Sequence, residues 1–444
     1  MNKEVKVVKK KRKLNWQKIF NLISFTFILA CIIFYGTRFI RLYLQNNKKE
    51  EIKVLADNIK DNNEGNLKNI NSDYYFTGKE VNNYVKYSNI LFRIIKINKD
   101  NSITLISDKP ITSLAKGDNN DYKTSYINNW LNNQDKENTG ILEKNLNNPN
   151  KYLTYTNACN DKIDNTKNIT CKSTLADTLI TLPSLYDYIN TGDTKSFMNN
   201  ETYYYLLNTN KDNKTWYIND NGGVTTSDNT DILGIKPVIT LKSTNKLING
   251  DGTKDNPYTF EEEQSILGSY VKLGNDTWRV YDIDDNNLKL SLDNYLKINN
   301  EEITYKYSDK GYYHNDGKQG TLAYYLNKNY LSKLTYSSNI IEANYANGIY
   351  SNTTNYDYTK VLNKTIPTKV ATLSIGNIII NSDNTNYYLS TGVDTNSNLV
   401  YVMTNDFKLY TKNATSKLKI VPVITIDKKI LTSGDGSQNS PLEA

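Results

Sequence analysis

Few groupings in this chain carry the residue types that chemistry needs. Cys159 and Cys171 bracket the short stretch NDKIDNTKNIT, and the third cysteine, Cys31, lies in an apolar run. Outside the cell an even pair reads as a disulfide, and closing so short a loop adds about 3 kcal/mol through the unfolded chain. A redox or metal pair is the sharper alternative. Zinc takes about four nitrogen or sulfur ligands, whereas the only histidine, His314, stands far away in the turn-like stretch Tyr312-Tyr313-His314-Asn315-Asp316-Gly317. A triad needs Ser or Cys with His and a carboxylate, and neither G-x-S-x-G nor H-E-x-x-H occurs. Paired carboxylates of the glycosidase kind leave no mark in sequence spacing.

Binding chemistry has more to draw on. Asn249, Asp251 and Asp255 alternate oxygen side chains as a calcium loop does. Counted from Asn249, however, position 6 is Lys254 where an EF-hand has Gly, and position 12 is Phe260 where it has Glu. A weak calcium site and a plain glycine-rich turn both fit. Arg93 and Arg279 each follow an aromatic, Phe92 and Trp278, which suits an ion pair, stacking on a ring, or a ligand contact. The chain holds 36 tyrosines. They could form a platform for sugar or protein, or simply fill strands with a good β former. Candidate ligand contacts are Trp216, Tyr217, Tyr204, Arg93, Trp278 and Arg279.

Most of the positive charge belongs to the N-terminus. Residues 1–49 carry twelve Lys/Arg and one Glu, a charge of +11, so with +7 overall the remainder stands at −4. That acidic balance argues against nucleic acid as a partner. Met1–Lys18 holds eight of the basic residues, and Ile19–Thr37 holds no charge. Nineteen helical residues span about 28 Å, close to the bilayer core. Trp16 and Tyr35 sit where an aromatic belt belongs, and the basic excess assigns the N-terminus to the cytoplasm. Ile28-Leu29-Ala30-Cys31 resembles a lipoprotein cleavage box, but the apolar run continues through Ile32-Ile33-Phe34-Tyr35. An uncleaved anchor is the expectation. Residues 38–72 then read as a polar stalk, with a short helix followed by a flexible stem over 62–71.

The remainder reads as one plan used twice, over 73–262 and 263–444. Asn82–Asp108 and Gly268–Asn294 both read as three-stranded antiparallel meanders, with Tyr84, Val85, Lys86 and Arg93 meeting Tyr270, Val271, Lys272 and Arg279. Trp130-Leu131-Asn132 on a predicted helix meets Tyr325-Leu326-Asn327, and Tyr204–Thr209 meets Asn386–Thr391. Gly234–Phe260, with Pro237-Val238-Ile239-Thr240 and Gly-Asp-Gly-Thr, returns as Lys419–Leu442. A period of this length suits two tandem globular domains rather than a solenoid.

These motifs, in this order, resemble an uncharacterised family of repeated bacterial cell-surface domains, covering about residues 73–444. The family is more distantly similar to C-type-lectin-like folds of the formylglycine-generating-enzyme type. Trp216–Val224 (WYINDNGGV) and Gly234–Val238 match the ending that closes such a domain. The second copy departs from it: Val400-Tyr401-Val402 replaces the Trp-led strand, and Ser440-Pro441-Leu442 replaces Asn-Pro-Tyr. The enzyme of that fold works through cysteines near the end of its domain, and none follows Cys171 here, so its activity is not implied.

The expectation is therefore an α+β, β-rich chain with one transmembrane helix and two extracellular domains, C-type-lectin-like by resemblance. It would work without a cofactor, calcium aside. Its function would be non-enzymatic binding of a glycan, a wall polymer or a surface protein. The alternatives are a carbohydrate-active hydrolase and a structural component of the envelope.

Overall fold

A computed structural model describes residues 54–444, apart from 118–120, 311–316, 352–355, 381–385 and 395–396, together with 17, 20, 21, 24–26, 29 and 33–38 of the N-terminal stretch. His314, Cys31 and seven other residues of the expected span 19–37 lie outside the described residues. Among the described residues no helix is long and apolar enough to cross a membrane.

Lys53–Ala444 is one compact, β-rich unit holding two sets of sheets. In the first set, strands Tyr84–Tyr87, Ile90–Ile97 and Ile103–Ser107 form the meander, and Val238–Leu241 pairs with its last strand. In the second, Tyr270–Leu273, Asp276–Ile283, Asn287–Leu292 and Pro422–Asp427 repeat that order. Both long strands carry a register shift at the same place, between Ile94 and Lys96 and between Val280 and Asp282. Each set adds a five-stranded sheet. The first runs Val224–Ser227, Thr215–Ile218, Tyr204–Thr209, Leu233–Gly234, Ser113–Leu114; the second runs Tyr410–Asn413, Leu399–Met403, Tyr387–Gly392, Lys417–Lys419, Thr304–Lys306.

Strand register corrects one detail of the sequence match. Tyr204 and Tyr387 each face the end of the next strand and each take a parallel partner, Gly234 and Lys419. Tyr205 and Tyr388 then occupy one role: their hydroxyls donate to Asp228 and Asp231 carbonyls, and to Asn413 and Ser416 carbonyls. The sequence alignment, which set Tyr204 against Asn386, is one residue out.

The stretch read as a stalk is in part folded. Leu55–Asn62 is a helix whose Leu55, Ala56 and Ile59 are buried, and Leu67–Ile70 pairs antiparallel with Asp73–Phe76 at the edge of the first sheet. A thin apolar stripe at helical spacing was enough, because the sheet supplied the face to cover.

The two halves also share a core. Tyr345, Tyr350, Tyr358, Leu373, Ile378, Tyr401 and Phe407 of the second half join the first half's cluster, while Trp278, Leu290, Leu322 and Ile424 belong to a second cluster within the second half. Backbone bonds cross the junction from Tyr203 to Asp406 (2.8 Å) and from Ile379 to Ile111 (2.8 Å). Trp130, fully buried on helix Tyr126–Leu131, donates its indole N–H to the Gly376 carbonyl (2.8 Å). Residue 262 thus marks a change of sheet within one compact unit. Many tyrosines are core: Tyr75, Tyr87, Tyr188, Tyr204, Tyr258 and Tyr350 are each at most 1% exposed.

Candidate functional site

Most residues singled out in the sequence turn out to hold the fold. The Arg93 guanidinium lies 3.9 Å over the Tyr84 ring, donates to the Tyr84 hydroxyl and the Asn83 amide, and faces Asp108 at 3.7 Å. Arg279 repeats this over Tyr270 at 4.0 Å, donating to the Gly268 carbonyl and facing Asp293 at 3.6 Å. A guanidinium stacked and paired in this way clamps the first two strands of each meander. Trp278 is fully buried. Tyr204 is buried too, with the Lys236 ammonium 4.8 Å above its ring. Burial in that apolar setting pushes Lys236 down to about 7. Trp216 donates its indole N–H to the Ile163 carbonyl (2.8 Å), pinning the cysteine loop to the sheet.

That loop is closed by Cys159 and Cys171, whose Cα atoms are 5.6 Å apart. Among the described residues the one group of three His, Cys, Asp or Glu placed closely enough to hold a metal is Cys159, Asp161 and Cys171, and its two sulfurs are joined to each other.

The Gly-Asp-Gly loops are backbone clamps. The Asp251 carboxylate accepts from the Thr253 N–H (2.9 Å) and hydroxyl (2.7 Å), and Asp435 accepts from the Ser437 N–H (2.8 Å). These bonds hold both carboxylates below the usual range. The carbonyls of Gly252 and Gly436 accept from Tyr84 and Tyr270, so each loop extends its meander. Gly250 and Gly434 have φ of +103° and +86°, and a Cβ at either would run into the carbonyl of Pro257 or Pro441. Asn249 and Asp255 are exposed on the same loop.

The feature that sequence reasoning missed lies beside helix Tyr126–Leu131. Ser125 caps this helix on Asn128 (3.1 Å). At its far end Asn132 sews it to the sheet edge, accepting from the Ile180 N–H (2.9 Å) and donating to the Ile180 carbonyl (2.8 Å). Gly140, at φ +64°, brings the next helix close, and Glu143 on that helix accepts from the Asn133 N–H (2.8 Å). Between helix end and sheet edge opens a groove of about 380 Å³, within the size range of small-ligand sites. Its lining is mostly amide and charged, with one aromatic, Tyr155, 56% exposed. The side chains of Lys123, Gln134, Asn150 and Asp177 face it with no bond to another described residue.

The second half has the same seam. Asn327 accepts from the Val370 N–H (3.0 Å) and donates to the Val370 carbonyl (2.8 Å), repeating Asn132 on Ile180. On the buried side of that seam Leu322, Leu326, Ile366 and Val370 close around about 10 Å³ of space, as Ile127 and Leu131 are buried in the first half. Of the sequence-nominated aromatics, Tyr217 alone stands at a partly exposed cluster, beside Tyr203 and near Asp220 and Asp231.

Comparison with family models, with curated proteins and with solved structures finds no match for this chain.

Proposed function

We propose that this chain is a cell-surface binding module, anchored through residues 19–37, that holds a polyhydroxylated polymer such as an envelope glycan. The observation that carries the reading is the groove at Asn132: an exposed tyrosine ring beside Lys123, Gln134, Asn150 and Asp177, whose side chains make no bond to another described residue. Apolar ligands need apolar walls. A lining rich in amides and carboxylates instead suits a ligand with many hydroxyls, while the Tyr155 face takes the C–H side of a pyranose. The matching strand orders support one domain plan used twice.

The test titrates the purified full-length chain in detergent with soluble envelope-type oligosaccharides, read by calorimetry. Saturable heat is expected, with Tyr155→Ala weakening binding about tenfold, equivalent to about 1.4 kcal/mol, at an unchanged melting temperature. A folded sample that retains none of these oligosaccharides overturns the reading.

A hydrolytic reading has one observation behind it, since Glu143 and Asp177 line the same groove. Release of new reducing ends from a bound oligosaccharide, abolished by Glu143→Gln, would establish it; an intact ligand after prolonged incubation leaves binding alone.

A further inference from the structure

A second surface, apart from the groove, is built from both halves. Tyr203 leads into strand Tyr204–Thr209, and its ring lies 6.3 Å from that of Tyr217 on the neighbouring strand. From the second half, the Asp406 carbonyl accepts from the Tyr203 N–H (2.8 Å), and the Asp406 carboxylate accepts from the Tyr410 hydroxyl (3.1 Å). Tyr410 is 42% exposed, one of the few large hydrophobic side chains so open among the described residues. Lys408 places its ammonium 5.3 Å from the centre of the Tyr203 ring. Partial burial and then the nearby carboxylates hold the phenols of Tyr203, Tyr217 and Tyr410 above the usual range, and Asp220 acts on all three. Three rings and their acids therefore share one small area.

We propose that this junction surface recognises the ammonium group of an amino-sugar polymer. Two independent features point to a cation. The rings present π faces bordered by carboxylates, the combination that attracts ammonium. The chain already seats an ammonium of its own there, Lys408 over Tyr203, in the position a ligand cation would take. A hexosamine is favoured over a lysine-rich peptide because the patch also offers phenol hydroxyls and carboxylates, which pair with sugar hydroxyls that a lysine stem lacks. The inference rests on the binding reading only in taking the ligand to be a polymer, and it uses none of the groove residues.

The probe is a glucosamine hexamer, compared with the N-acetylglucosamine hexamer and with hexalysine, each titrated into the full-length chain. The glucosamine hexamer should bind, and more weakly as salt rises, since exposed charges are screened. Asp220→Asn should weaken it about tenfold. Lys408→Ala should tighten it several-fold by removing the internal competitor, a gain that a merely structural lysine would not give. Tyr155→Ala should leave it unchanged, so failure here and failure at the groove are separable. Equal binding of the N-acetylated hexamer, weaker binding by Lys408→Ala, or binding of hexalysine alone would each overturn the proposal. Melting temperatures of the variants, expected within a few degrees of the parent, show whether a loss reflects unfolding.

Discussion

The two halves keep the same devices wherever the backbone needs them and differ wherever it does not. Asn132 on Ile180 and Asn327 on Val370 make the same pair of bonds at matching sheet edges. Arg93 on Tyr84 and Arg279 on Tyr270 stack alike, and both Gly-Asp-Gly turns dock on the first strand of their meander. Around this shared frame the first half opens a polar groove lined by Asn128, Asn132 and Asn133, where the second half has Ala323, Asn327 and Lys328. Lys236 likewise precedes the proline of its strand, where the second half has Val421. The lesson is that residues engaged by main-chain groups recur, and function is best sought among those released from that duty.

Matched substitutions sharpen this. Trp130 and Tyr325 fill equivalent positions, but Trp130 is buried between the halves and bonded to Gly376, whereas Tyr325 stacks at 4.3 Å on the half-buried ring of Tyr305. Trp130→Ala should cost about 3–5 kcal/mol, and Tyr325→Ala about 1 kcal/mol, by denaturant unfolding. Equal costs would mean that the halves do not depend on one shared core.

Next in size are the two asparagines. Asn132→Ala leaves the buried N–H of Ile180 unpaired, while its carbonyl keeps the Tyr122 hydroxyl (3.3 Å), and should cost about 2–3 kcal/mol. Asn327→Ala, at a half-buried site, should cost about 2 kcal/mol by the same mechanism. A loss below about 0.5 kcal/mol in either variant would show that the shared bonds are not what holds helix to sheet.

A pH-dependent effect concerns the connection between the halves. Burial raises the Glu262 carboxyl to about 6, against the hydrogen bonds it accepts from Asn147 and the Ser88 N–H. A carboxyl raised on folding binds its proton more tightly in the native state. Its contribution is therefore complete below the unfolded value near 4.5 and is lost as pH climbs through about 6. Stability should fall by about 2 kcal/mol over that window, and Glu262→Gln should flatten this part of the profile. An unchanged slope in the variant would assign the titration to another group.

Much of the frame could be read from residues alone. Alternating apolar runs broken by Ser88-Asn89 and Asn98–Asn101 marked the first meander, and Pro183 signals a helix start, two residues ahead of the helix Leu185–Asn190 that Ser184 caps. Local turn chemistry and side-chain periodicity fix such elements, and both are written in neighbouring residues. The helix at Leu55–Asn62 was harder, since its polar face dominates the composition and its burial depends on a distant sheet.

The groove and the tyrosine patch could not be read in advance. Tyr155, Lys123 and Asp177 are spread over some fifty residues, and Tyr203 and Tyr410 over some two hundred. By itself the sequence determined the strands, the cysteine loop, the glycine turns and the recurrence of one plan, because these rest on short-range backbone demands. Only the tertiary structure decided which side chains those demands leave free and bring together, because that depends on how two similar halves close on one another.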